Sequence, residues 1–401
     1  MTGALAAAVD DPLAIRQANA DLLSLALIDA RNHTLRWLAH FEAQGALART
    51  DGGAMPLWLA GHAGWYQDRW IGRHLQRQRG EACDPGAPRL PPADGRIEAW
   101  FTNAGEPAGA GELRDYLGQT LETTLELLAA ASAGDSALHF FRLALLHEDR
   151  LGEALAERAA ELQLTGAEPW PALPARPARD PLWLPAQRLW LGSPEAGTGG
   201  TGGAVPENER WAHEVALPEF EIDAQAVSWA RYIEFVEDGG YDRRECWSEA
   251  GWVWQQAEGR RAPRHVEQLR GGVLLQRQGR LQRVAAGQPV LHASFFEAEA
   301  WCRWAGRRLP TEPEWEAAAL AGPARGFDFG DVFEWVAGSA RTWPGYRGGP
   351  GGLDAMPAPG TRAVLRGASW MTRRRCCHPK ARRFAPAERD TMFCGFRSCA
   401  V

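Results

Sequence analysis

The spacing of apolar residues divides the chain into two parts. In the first 165 residues, apolar side chains recur every three or four positions, which is the period of an amphipathic helix. Beyond about residue 182, short strands such as 214–223 alternate with short helices and Gly–Pro turns. Four long helices predict an up-down bundle, and the segments with helical spacing are 12–46, 56–78, 112–131 and 136–162.

Closely spaced prolines separate the two parts. No helix can continue through prolines at this spacing, so the segment is a linker or an extended strap. We therefore predict a helical bundle over 1–165, a Pro-rich linker over 166–181 and an α+β domain with much irregular structure over 182–401. The prolines concerned are Pro169, Pro171, Pro174, Pro177 and Pro181.

Charge and hydropathy restrict the function. The net charge is −6 and no block of like charge dominates, which argues against nucleic-acid binding. Every apolar run is shorter than the ~20 residues that span a bilayer, so we expect no membrane insertion. The first residues lack the basic segment of a secretory signal, and the seven cysteines include no CxxC pair. We therefore expect a cytoplasmic protein with reduced thiols.

The second part carries short motifs in a characteristic order. Together they resemble the formylglycine-generating-enzyme (sulfatase-modifying-factor) family, whose fold is an atypical C-type-lectin-like domain. The resemblance covers about residues 182–400, and it depends on the whole set because each motif is short. The motifs are SFFEA at 294–298, WCRW at 301–304, RLPTEPEWE at 308–316, VFEWV at 332–336, LRGASW at 365–370 and GFR at 395–397.

Two histidine motifs give the first part a resemblance of its own. LWLAGHAGWY at 57–66 contains His62, and LLHEDRLGE at 145–153 contains His147. Both are similar to the metal-ligand motifs of DinB-like four-helix bundles. A DinB-like bundle followed by a formylglycine-enzyme-like domain is the architecture of the ergothioneine sulfoxide synthases (EgtB), the ovothiol synthases and the related selenoneine synthases (SenA). The chain is identified as a member of this group, with an α + (α+β) fold.

The resemblance implies a non-haem Fe(II) site. His62 and His147 match the iron ligands of the family, and the open coordination positions would take hercynine, a sulfur or selenium donor and O2. Arg150 follows His147 by three residues and shares its helix face, so it could reach a substrate carboxylate.

The chain departs from the family pattern at the third ligand. The family's HxxxHxE motif places a second histidine four residues after the first, on the same helix face. Leu151 stands there and cannot bind a metal, although Glu153 keeps the final glutamate. His40, or a carboxylate such as Glu148 or Asp149, could complete the site, and the sequence does not choose among them.

The segment 382–395, which we call the tail, bears on whether the donor carries sulfur or selenium. Glutamylcysteine-using members carry a Trp-Asp pair there, where this chain has Phe384 and Ala385, and only Arg389 keeps the basic character. A donor without an amino-acid head group, such as a selenosugar, would not need that aspartate. Tyr346 is the one tyrosine between residues 345 and 367 that could act as the catalytic acid.

Aromatic residues are candidates for binding the trimethylammonium group of hercynine by cation–π attraction. Trp370 is one such candidate, and Phe384 and Phe393 lie in the tail that lines the cleft in the family. We predict this cleft at the junction of the two domains, with walls from residues 334–346 and 366–396, because ligand pockets favour domain interfaces.

The sequence leaves three functions open. The first is iron- and O2-dependent C–Se bond formation on hercynine with a selenosugar donor, as in selenoneine synthases. The second is an ergothioneine-type sulfoxide synthase with a thiol donor, and the third, suggested by Leu151, is a non-catalytic binding protein of the same architecture. The oligomeric state and the presence of a structural calcium stay undetermined.

Overall fold

Four long helices form the N-terminal part, in a computed structural model that describes residues 7–103, 105–166, 170–194, 203–353 and 356–401. They are α2 (Ala20–Ala43), α3 (Pro56–Gln67), α5 (Ala110–Ala129) and α6 (Asp135–Glu161), with the short helices α1 (Pro12–Arg16) and α4 (Gly95–Phe101) beside them. Each long helix packs against its neighbours, α2 and α3 both against α6. The predicted helical bundle is therefore present.

Two predicted helix boundaries are wrong, and local chemistry explains the first. The segment 12–46 is two helices, because the Asn19 side chain accepts a hydrogen bond from the Leu22 amide and so caps a new helix. The segment 56–78 is α-helical only to Gln67 and continues as one π-helical turn, Asp68–Gly72. The helix α4 was not predicted at all.

The described residues of the second part form four small sheets. Their strand orders are β1-β4-β13-β8, β11-β10-β9-β12, β2-β3 and β5-β6-β7, and β12 pairs with β9 in parallel, whereas the other strand pairs are antiparallel. The helices are α7 (Trp229–Glu237), α8 (Glu249–Glu258), α9 (Phe295–Trp304) and α10 (Glu312–Ala321). The strands are β1 (Leu182–Leu184), β2 (Gln187–Leu191), β3 (His213–Leu217), β4 (Phe220–Ile222), β5 (Val266–Gln268), β6 (Val273–Arg277), β7 (Arg280–Val284), β8 (Arg307–Arg308), β9 (Phe333–Ser339), β10 (Ala363–Gly367), β11 (Arg382–Ala385), β12 (Cys394–Phe396) and β13 (Cys399–Ala400).

The proline segment is a packed strap, which was one of the two predicted alternatives. Residues 170–181 have no regular structure, and residues 167–169 lie outside the described part of the chain. Leu173 is buried, Arg176 forms an ion pair with Asp331, and the Trp370 indole donates a hydrogen bond of 3.2 Å to the Pro171 carbonyl. The strap therefore follows the surface of the second domain.

Buried ion pairs hold the two parts together. Arg375 donates to Asp149 of α6 at 2.7 and 2.8 Å, and both side chains are almost fully buried. Glu153, two turns beyond His147, accepts hydrogen bonds from Ser369 and Arg383 at 3.1 and 3.0 Å. Such pairs require fixed geometry, so they hold the second domain in one position against α6.

Two further findings concern chemistry expected from composition. All seven cysteines are free thiols. Across the described ranges, no helix combines the length and the apolar character that crossing a bilayer requires.

Candidate metal and substrate site

A pair of histidines faces each other across the bundle. His62 lies on α3 and His147 on α6, and His62 Nδ1 is 2.8 Å from His147 Nε2. The ring of Tyr66 packs against His147 with centroids 4.5 Å apart and a tilt of 30°, and the Tyr66 hydroxyl donates to the Gly351 carbonyl at 2.6 Å. This second contact ties the His147 side of the pair to the C-terminal domain.

Both imidazoles are neutral at physiological pH. Burial lowers the pKa of His62 to about 4. Burial, with smaller contributions from His62 and Arg150, holds the pKa of His147 well below its ordinary value. A neutral imidazole is the form that binds a metal. Two metal–nitrogen bonds of about 2.1 Å at a right angle place their nitrogens about 3 Å apart, so the pair fits two adjacent ligands of one ion.

The third ligand is missing from the described residues. Leu151 is buried in the hydrophobic core. Among the residues with assigned positions, no group of three His, Cys, Asp or Glu side chains could hold a metal. The described residues therefore bring together two candidate metal-binding nitrogens, whereas a facial site uses three protein ligands.

The two carboxylates considered from the sequence are engaged elsewhere. Glu148 pairs with Arg31 at 2.7 Å, deep in the bundle, and also accepts from Thr34 at 3.0 Å. Asp149 pairs with Arg375 at the domain junction. Turning Glu148 towards His147 would leave the buried Arg31 without its carboxylate partner. Turning Asp149 would leave the buried Arg375 only its ion pair with the more exposed Asp29 at 2.8 Å.

His40 is also remote from the histidine pair. Its ring lies beside Gly166, beyond the C-terminal end of α6, where a Cβ on the glycine would meet His40 Cε1 at 3.3 Å. His147 lies more than three helical turns before the last residue of α6, about 20 Å along the axis. His40 is therefore excluded as the third ligand in this conformation.

A cavity of about 500 Å³ lies at the domain junction, and we call it the junction cavity. Helix α6 forms one wall and the C-terminal domain the other, so the cavity lies at the predicted domain junction. Of the two wall segments predicted from the sequence, 366–396 lines it, but 334–346 does not, because residues between 353 and 362 occupy that side instead. Its lining residues are Arg150, Glu153, Ala154, Glu157, Phe333, Leu353, Pro357, Arg362, Arg383, Phe384, Arg389 and Met392.

The structure brings three of the five candidate substrate residues together. Arg150, Phe384 and Arg389 line the junction cavity. Trp370 and Phe393 pack against each other with ring centroids 4.5 Å apart and line a neighbouring cavity instead.

Tyr346 does not line the junction cavity. Its hydroxyl lies beside Gly348, in the loop that follows Trp343, and it is not among the described residues lining the junction cavity.

Comparison with known proteins identifies the family. A family model described as the sulfatase-modifying factor enzyme 1-like domain matches residues 187–331, which confirms the domain expected from the C-terminal motifs. The hercynine oxygenase of Mycobacterium tuberculosis is 31% identical, and the match covers 94% of this chain and 97% of that protein. The chain belongs to the hercynine oxygenase family. The hercynine oxygenase of Mycolicibacterium smegmatis is 29% identical over 95% of this chain and 98% of its own.

A further relative is similar over a shorter region. The formylglycine-generating enzyme of Streptomyces coelicolor is 34% identical over 189 residues, which is 43% of this chain and 57% of that enzyme. The EgtB-type architecture inferred from the two sets of motifs is therefore confirmed at the level of the family. The DinB-like and lectin-like descriptions of the two folds stay predictions.

Glu157 is a candidate site residue that the sequence motifs did not identify. It lies one helical turn after Glu153 on the same face of α6, lines the junction cavity and pairs with Arg389 at 3.3 Å. Burial raises the pKa of Glu157 to about 8, against the lowering effect of Arg389. The spacing of four residues from Glu153 could have indicated from the sequence that Glu157 shares its helix face. The burial of the Glu157 carboxyl depends on the packing of the second domain and could not be predicted in this way.

We expect the Glu157→Gln variant to lose a pH dependence of stability. The pKa of Glu157 is about 8 when folded and near 4.5 when unfolded, so between these values the folded chain keeps a proton that the unfolded chain has released. Stability relative to the variant therefore falls as the pH rises from about 4.5 to about 8. We expect the free energy of unfolding, relative to the variant, to fall by on the order of 2 kcal/mol over this range. The full pKa shift would give more, but solvent around Arg389 screens part of it. Urea unfolding across this pH range measures the difference.

The control for that measurement is a carboxylate that lies away from the charged neighbours of Glu157. Glu153 and Glu161 share its helix, and Arg383 and Arg389 face it from the second domain. The exposed Glu126→Gln substitution on α5 should leave the pH dependence unchanged. A wild-type chain and a Glu157→Gln variant with parallel stability curves would show that Glu157 titrates normally.

Proposed function

We propose that the chain is an Fe(II)- and O2-dependent enzyme that joins selenium or sulfur to C2 of the hercynine imidazole. The observation that carries the proposal is the pair of neutral imidazoles, His62 and His147, with nitrogens 2.8 Å apart on two bundle helices. Membership of the hercynine oxygenase family supports the choice of substrate. His62 and His147 would hold the iron, which when bound supplies O2 activation and open coordination positions.

The chain's own residues suit a zwitterionic substrate beside that pair. Arg150 lines the junction cavity one turn after His147, and its charge contributes to the lowered pKa of His147, so the cavity and the pair are adjacent. The guanidinium groups of Arg383 and Arg389 enter the same cavity and can bind a carboxylate. Glu157, protonated at neutral pH, can donate a hydrogen bond there.

We propose a selenosugar as the donor. The position of the family's aspartate is Ala385, which is 2% exposed and offers no group to an amino-acid head group. The cavity instead combines arginines with Glu153 and Glu157, which can exchange hydrogen bonds with sugar hydroxyls. A thiol donor is the alternative outcome of the assay below.

A non-catalytic binding protein is the second candidate function. Leu151 and the missing three-ligand group among the described residues favour it. Such a protein would bind hercynine in the junction cavity without turning it over.

One experiment separates these candidates. The purified protein is loaded with Fe(II) without air, its iron content is measured, and hercynine, O2 and either a selenosugar or γ-glutamylcysteine are added. We expect mass spectrometry to show a product that joins hercynine to the selenosugar, and none with the His62→Ala variant. Joining to the thiol alone would assign the ergothioneine-type reaction. Hercynine binding without any product would assign the non-catalytic function.

A further inference from the structure

A second cavity lies beside the first, and we call it the strap cavity. Its volume is about 370 Å³, within the range of small-molecule sites, and no residue of the metal pair lines it. The last turn of α6, the strap, the β5-β6-β7 sheet and the tail enclose it. The side chains that matter below are Trp170, His265, Arg277, Gln288, His292 and Phe393.

Unusual backbone conformations are concentrated around the strap cavity. Five non-glycine residues in the described ranges have a positive φ, and all but Asn103 line this cavity. Gln278 occupies the two-residue turn between β6 and β7, and Gln163 follows the end of α6, where positive φ is common. His265 and His292, at φ 67° and 61°, occupy neither kind of position.

The two strained histidines face each other at the cavity wall. Their ring centroids are 5.1 Å apart, edge to face, and His292 Nδ1 lies 3.0 Å from the Asp390 carbonyl oxygen. Strained conformations persist where the surrounding structure imposes them, and they cluster at ligand sites. Burial lowers the pKa of His265 to about 4 and that of His292 well below its ordinary value, so neither ring adds charge at neutral pH.

Arg277 gives the strap cavity one uncompensated positive charge. Its NH2 nitrogen is buried and has no hydrogen-bond partner, and the described lining residues include no carboxylate. Burial lowers the pKa of Arg277 to about 10, so the guanidinium remains charged at neutral pH. A guanidinium with a buried, unpaired nitrogen and no counter-ion is unfavourable, and an anion in the cavity would relieve the cost.

Two more buried polar atoms at this cavity lack partners. They are Trp170 Nε1, a donor, and Gln288 Oε1, an acceptor. Trp170 and Phe393 form an edge-to-face contact, and Trp370 packs on Phe393, so these three rings give the cavity an aromatic surface. The cavity thus combines one cation, unused hydrogen-bonding atoms and a flat apolar surface.

We propose that the strap cavity is a second binding site of this chain, for a small aromatic monocarboxylate. The carboxylate would pair with Arg277, and the flat body would pack against Trp170, Trp370 and Phe393. A single carboxylate matches the single positive charge, whereas a dianion would bury an unpaired charge. The site is independent of the metal pair, so metal-free protein suffices for the test.

The test uses indole-3-acetate as the probe and its neutral isostere indole-3-acetamide as the comparison, both followed by calorimetry. We expect one indole-3-acetate per chain and at least about tenfold weaker binding of the amide, since the charge-assisted hydrogen bond is lost. Arg277→Gln should weaken binding of indole-3-acetate by a similar factor. Arg280→Gln is the matched control, because Arg280 is the exposed cross-strand partner of Arg277.

A second pair of variants keeps the test decisive if Arg277→Gln does not fold. Gln282 lines the cavity from β7, so Gln282→Trp should fill it and remove binding. Leu281→Trp is its control, because Leu281 is 59% exposed and alternates to the other face of the strand. The proposal is overturned if indole-3-acetate does not bind up to about 10 mM, or if Gln282→Trp binds it as the wild type does.

Discussion

Leu151→His is expected to raise the affinity of the chain for Fe(II) by about tenfold to a hundredfold or more. The substitution places an imidazole four residues after His147, on the same face of α6, beside a pair that already fits two adjacent ligands. Residues that only orient a ligand change metal affinity by about 10–100-fold, so a direct ligand should do at least as much. Metal titration of the apoprotein measures the change.

The fold should tolerate this change. Leu151 is 8% exposed, so replacing it loses apolar burial of on the order of 1–3 kcal/mol. Leu151→Asn is the control, because it introduces a polar side chain at the same position without an imidazole. If Leu151→His binds no more iron than the wild type, the iron content of the wild type decides the reason. Near one iron per chain means that another ligand already completes the site, and near zero means that no iron site exists.

Glu148→Gln is expected to destabilise the protein by about 3–5 kcal/mol. Arg31 and Glu148 pair at 2.7 Å with side chains 2% and 1% exposed, between α2 and α6. Removing one partner of a buried pair leaves the other charge unpaired, which costs more than the pair itself contributes. Arg31 also donates to the Gln67 side-chain oxygen at 3.0 Å, so the loss spreads into α3, which carries His62. Urea unfolding measures the free energy of unfolding.

The control for this substitution is Glu122→Gln, an exposed position on α5. It should change stability by less than about 0.5 kcal/mol. A Glu148→Gln variant as stable as the wild type, but with lower iron affinity, would contradict the structural role and return Glu148 to the candidate ligands.

Local sequence patterns predicted much of the fold. The helical period predicted α2, α3, α5 and α6, because each buries one face and a helix repeats that face every three or four residues. The predicted segments ran too long where capping and π-helical geometry intervened, as at Asn19 and Asp68–Gly72. These features depend on single side chains and short turns, which periodicity does not record.

The sequence by itself determined which histidines to consider, which family pattern they belong to and that Leu151 interrupts it. Only the tertiary structure decided that Glu148 and Asp149 are engaged with arginines and that Trp370 and Phe393 line a different cavity from Phe384. It also decided the raised pKa of Glu157, whose partner Arg389 lies 232 residues away in the chain. The physical reason is that burial and pairing depend on which distant segments pack together, whereas spacing records only what lies within a few residues on one helix or strand.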